Sequence, residues 1–212
     1  MRKKTAFLLV LVFALFLLVS CANEQTAGKN SELENFLNQD DQVIEKIKNQ
    51  PIGATGPRLV YAYDQYAVIL NFNGILIYDF DQQAILHTID NLSLGLNKMQ
   101  GSDYTSVKSN RNELAFGNES DIDHSAYVYH LQKNELHKAN KKELEEFKEV
   151  KEVDQELLNS ILTDGHTGNA VYNEDGNIVL LTYRYEDGAD GWALSILEKD
   201  RLKPIQQVKV FQ

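Results

Sequence analysis

Cysteine is almost absent: Cys21 is the only one in 212 residues. That excludes an internal disulfide, which an exported chain would otherwise be free to form, so stability must come from the core. A reactive thiol needs a neighbouring base or helix terminus to lower its pKa, and no histidine precedes His87. The chain also lacks a Gly-x-Ser-x-Gly elbow, a P-loop, a dinucleotide fingerprint and a His-Glu-x-x-His pair, the spacings that mark the commonest hydrolytic and nucleotide chemistries. Long apolar runs are equally scarce. There is one, from Ala6 to Val19, and it is shorter than the roughly 20 residues of a permanent membrane span.

What surrounds that run is organised. Arg2-Lys3-Lys4 precedes it and Ser20-Cys21 follows it, the order of a basic n-region, an apolar h-region and a small-residue cleavage site. Leu18-Val19-Ser20-Cys21 resembles the bacterial lipobox. The resemblance implies cleavage between Ser20 and Cys21, diacylglycerol on the Cys21 thiol, and a palmitate-type acyl anchor on the outer face of a cell membrane, as in a Gram-positive bacterium. Two acyl chains, at about 0.8 kcal/mol per buried methylene, hold a protein stably where one is marginal. The expected organisation is a signal peptide over 1–20, a lipidated cysteine and small polar tether over 21–31, and an extracytoplasmic domain over 32–212.

Positive charge is in deficit as well. The whole chain carries −10, and loss of Arg2, Lys3 and Lys4 takes the remainder to −13. Such a surface repels nucleic acid and anionic lipid heads, and suits a protein partner with a basic face or a cation; it also keeps an exported domain soluble.

Apolar periodicity places the elements. Leu33, Phe36, Leu37, Val43, Ile44 and Ile47 follow helical spacing behind a Ser31–Glu34 capping box, with Pro51 and Gly53 as the stop. From Arg58 to Ala139 the pattern becomes strand-like, broken at Asp64-Gln65, Asn73-Gly74 and Asp81-Gln82-Gln83, with Asn-Gly expected to supply positive φ angles. A charged stretch over 141–162 carries apolar residues every three or four positions, which predicts one amphipathic helix capped by Asn140. A four-strand meander over 169–211 follows, with turns at Asp175-Gly176, Asp187–Gly191 and Lys199-Asp200, and with Trp192 on a strand. The fold class is α+β and mainly antiparallel β, in blade-like or meander sheets of the partial-propeller or sandwich kind, with two amphipathic helices.

Gly74-Ile75-Leu76-Ile77-Tyr78-Asp79, Ile89-Asp90, Gly95-Leu96-Asn97, Gln100-Gly101, Tyr104 and Tyr127-Val128-Tyr129 resemble a β-rich extracellular segment. That segment lies at the C-terminal end of Gram-positive membrane metallopeptidases related to the β-lactam sensor-transducers. Leu96 and Thr105 stand where it often has cysteines. The resemblance implies an extracytoplasmic module of blade-like repeats with a sensing or binding role, and transfers no active site.

The chemistry-bearing residues are dispersed. His87, His124, His130, His137 and His166 show no metal-ligand spacing. Asp121-x-Asp123-His124 is the nearest approach to a cluster, and Asp187–Gly191 lacks the register of a calcium loop. Gly165-His166-Thr167-Gly168 reads as a loop between helix and strand. No catalytic residue, metal ligand or cofactor is assigned. The expected function is a non-enzymatic protein-binding or sensor-accessory lipoprotein; the alternatives are a lipid-anchored immunity protein that neutralises an exported toxin and, third, a wall-active hydrolase.

Overall fold

The computed structural model describes residues 40–48, 56–97, 105–122, 126–162, 166–184 and 191–210. Cys21, Ser20, the tether, the Ser31–Glu34 capping box and the Pro51–Gly53 stop lie outside these residues. The described elements are mostly antiparallel strands with three α-helices.

The strands form three separate sheets. The first is a meander of β1 (Arg58–Tyr63), β2 (Tyr66–Leu70), β3 (Gly74–Asp79) and β4 (Ala84–Asp90). The second contains β5 (Thr105–Asn110), β6 (Glu113–Asn118), β7 (Tyr127–His130) and β8 (Glu135–Lys138), with the two-residue β9 (Lys148–Glu149) added to the free edge of β5. The third is a meander of β10 (His166–Tyr172), β11 (Ile178–Arg184), β12 (Gly191–Leu197) and β13 (Pro204–Lys209), with Trp192 on β12 as alternation predicts.

Alternation along each strand decides how the sheets stack, because successive side chains point to opposite faces. In β2, Tyr66, Val68 and Leu70 face a core shared with Leu114, Phe116 and Tyr129 of the second sheet. Their neighbours Ala67 and Ile69 face a core shared with Val171, Val179, Leu181 and Leu194 of the third. The first sheet is therefore the middle layer, which is why YAVIL and GILIYD are buried along their whole length. Full burial of one such side chain contributes about 1.5–3 kcal/mol.

Helices cover the outside. In α1 (Asp40–Lys48) Val43 and Ile44 join the core between the first and third sheets, as the helical spacing predicts. The expected single helix over 141–162 is not formed. It is replaced by α2 (Lys141–Leu144), then β9, then α3 (Gln155–Ile161). Two start signals and one strand pairing break it. Asn140 makes a capping box with Glu143, Asp154 accepts the Leu157 N–H at 2.9 Å to start α3, and between them Lys148 and Glu149 pair with Ser109 and Lys108. Phe147 packs over Ala115 and Val128 on the outer face of the second sheet, while Leu158 and Val153 cover the outer face of the third.

Turn chemistry matches the expectation in some hairpins and departs from it in one. Asp64, Gln83 and Gly176 have positive φ at the expected turns. Asn73-Gly74 does not supply it: Gly74 is already the first residue of β3, and the Asn71 side chain closes the turn by accepting the Asn73 N–H at 3.0 Å. His166, Thr167 and Gly168 belong to β10 and not to a loop. Gly168 is required there because a Cβ would collide with the Leu181 carbonyl of the neighbouring strand.

Candidate functional site

The second sheet's outer face carries a shallow cavity of about 490 Å³. It lies between β6, β8 and the segment that crosses from β8 to β9, and Glu113, His137, Lys138, Lys142, Glu146 and Phe147 line it together with Asn140 and Glu143. Phe147 is buried, so the cavity has an apolar floor beneath a charged rim.

Its hydrogen-bonded His137–Glu143 pair follows from the start of α2. The Glu143 N–H donates to Asn140 Oδ1 at 3.0 Å, and the Asn140 N–H donates back to Glu143 Oε2 at 3.3 Å. That reciprocal cap leaves Glu143 Oε1 facing β8, where His137 Nε2 lies 2.7 Å away. A carboxylate only accepts, so Nε2 carries the proton and, in the neutral ring, Nδ1 is the basic nitrogen. An imidazole oriented by a carboxylate is a unit that binds or moves a proton. The lining contains no hydroxyl or thiol that could act as a covalent nucleophile.

The remaining charges of the rim are of both signs. Glu113 and Glu146 are acidic and Lys138 and Lys142 basic. Among the described residues none of the four is ion-paired. Charge elsewhere is used locally: Lys108 reaches Glu149 at 3.6 Å across the β5–β9 pairing, and Lys46 of α1 approaches Asp90 at 3.9 Å.

Two other polar groupings are structural. At one end of the first sheet Asn71, Asn91, Asn97 and Thr105 are buried; Thr105 Oγ1 donates to Asn97 Oδ1 at 2.9 Å and Asn97 Nδ2 donates to the Phe72 carbonyl at 2.7 Å, joining the first sheet to the second. At the other end the Tyr61 hydroxyl donates to the Arg111 carbonyl at 2.7 Å. Burial pushes the Tyr61 phenol up to about 12, with the Glu174 carboxylate and Tyr63 adding to the effect and a Ser109 hydrogen bond opposing it.

The sequence-read histidines do not converge. His87 lies on β4, His130 ends β7 with Nε2 3.1 Å from Asn112 Nδ2, and His166 begins β10; His124 lies outside the described residues with Asp123. Asp121 ends a 3₁₀ turn, Glu119–Asp121. Among the described residues no group of three His, Cys, Asp or Glu side chains is placed to hold a metal ion, and no helix is long and apolar enough to cross a membrane. The His137–Glu143 pair escaped the sequence reading, although Asn140-x-x-Glu143 carries the capping-box signature that orients it.

Fold and cavity together define an antiparallel protein of three stacked sheets with a small mixed-charge concavity on an outer face. No family model matches the chain, and no curated protein or solved structure is significantly similar to it.

Proposed function

We propose that the chain is a lipid-anchored extracytoplasmic lipoprotein whose acidic domain docks a protein partner as a non-enzymatic sensor-accessory module. The observation that carries this reading is the succession Arg2-Lys3-Lys4, apolar block, Leu18-Val19-Ser20-Cys21 and polar tether. The three sheets support a module of blade-like repeats. Positive φ recurs in the first hairpin of each sheet, at Asp64, Arg111 and Gly176, and again in the hairpin before each fourth strand, at Gln83, Asn134 and Leu202.

The address and the docking role are tested separately. Cys21→Ala should abolish incorporation of an alkyne-labelled fatty acid in the producing cell; labelling of the variant equal to wild type defeats the lipoprotein assignment. In-cell crosslinking of the wild-type chain should return one stoichiometric envelope protein of the producing cell. A basic exported toxin recovered in its place would move the same acidic surface to an immunity role, since complementary charge speeds such associations.

A further inference from the structure

We propose that the cavity on the outer face of the second sheet binds a small zwitterion of the amino-acid class, one ammonium and one carboxylate on an apolar body. The inference is independent of the docking role. Its volume of about 490 Å³ falls within the roughly 300–1,000 Å³ of small-ligand sites. Glu143 is already engaged, Oε1 by His137 at 2.7 Å and Oε2 by the Asn140 N–H at 3.3 Å, so its carboxylate orients His137 and adds negative charge to the rim. Glu113 and Glu146 as anions and Lys138 and Lys142 as cations complete the rim, four further charges that among the described residues neutralise neither each other nor a neighbour.

A ligand of one sign would meet attractive and repulsive charges together there. A zwitterion of amino-acid size offers an ammonium to the glutamates and a carboxylate to the lysines, and an apolar side chain can lie on the buried Phe147. His137, 45% exposed in its side chain and fixed by Glu143, stands at the rim as a reporter of occupancy.

The test uses the full-length chain in detergent micelles and follows the imidazole C–H resonances, with His137→Gln assigning the signal. L-leucine should shift the His137 signal saturably. N-acetyl-L-leucine, which lacks the ammonium, and L-leucinamide, which lacks the carboxylate, should each bind about tenfold more weakly, the loss of one ion pair. Glu113→Gln should weaken L-leucine and L-leucinamide but not N-acetyl-L-leucine, and Lys142→Gln should do the reverse for the two blocked compounds. Both are surface changes that leave the cores intact. No saturable shift with L-leucine, equal shifts with all three compounds, or binding by one blocked compound as tight as by L-leucine would each overturn the assignment.

Discussion

One amide side chain joins two sheets. Asn169 on β10 accepts the Leu59 N–H at 2.9 Å and donates to the Leu59 carbonyl at 2.6 Å, so it supplies to β1 the pair of bonds a neighbouring strand would make. Asn169→Ala removes both and leaves Leu59, which is fully buried, with two unpaired backbone groups. At about 1 kcal/mol for each bond, urea unfolding should show a loss of about 2 kcal/mol. A loss within error of zero would mean that water replaces the amide. Nothing in NAVYNEDG announces this role, because the partner lies 110 residues away. Tyr61 is the second residue whose chemistry is set by its neighbours. Its phenol is raised from 10.0 to about 12 in the fold. The unfolded chain therefore releases that proton first, and the contribution of Tyr61 is complete below pH 10.0 and is lost as pH rises through about 12. Burial shifts the Tyr66 and Tyr78 phenols in the same direction. Thermal melts at rising alkaline pH should fall more steeply for wild type than for Tyr61→Phe; parallel slopes would show that the phenol is no more protected in the fold than in the free chain.

At the scale of elements the strands were readable and the long helix was not. Short runs rich in β-branched and aromatic residues, YAVIL and ILIYD, bounded by turns at Asp64 and Gln83, carry local information that survives in the fold. The stretch over 141–162 has the helical period, yet its middle pairs with β5, and a pairing with residues some 40 positions earlier leaves no local mark. The same competition hid the cavity, since Glu146 and Phe147 of its lining lie beyond the end of α2 at Leu144. The two architectures predict opposite signs for one substitution. As the N-cap of α3, Asp154 should cost about 1 kcal/mol when replaced by Ala. Inside one continuous helix the same change would stabilise by several tenths of a kcal/mol, since Ala is the better helix former by up to about 0.7 kcal/mol. Urea midpoints of Asp154→Ala against wild type decide the sign, and a rise would restore the uninterrupted helix.

The order of the layers is a property of the whole molecule. Chain order runs first, second, third sheet, but packing order runs second, first, third, so each outer sheet rests on the middle one. The segment between β8 and α3 reinforces this: it pairs with β5 at Glu149, packs Val150 against the core of the first and third sheets, and bridges Val171 of β10 at Glu152. Sequence reading expected strand sets over 58–139 and 169–211, and nothing local could say that residues 58–90 serve both. The consequence is cooperativity, because damage to the middle layer reaches both faces. Leu76 faces the third sheet and is fully buried between Ile75 and Ile77, which face the second. Leu76→Ala should destabilise by about 2–5 kcal/mol. Because the layers share one sheet, native-state hydrogen exchange should show that loss equally at Val128 of the second sheet and Leu181 of the third. Accelerated exchange at Leu181 with Val128 unchanged would instead divide the molecule into separately unfolding units, and the middle sheet would then be a contact surface and not the common core.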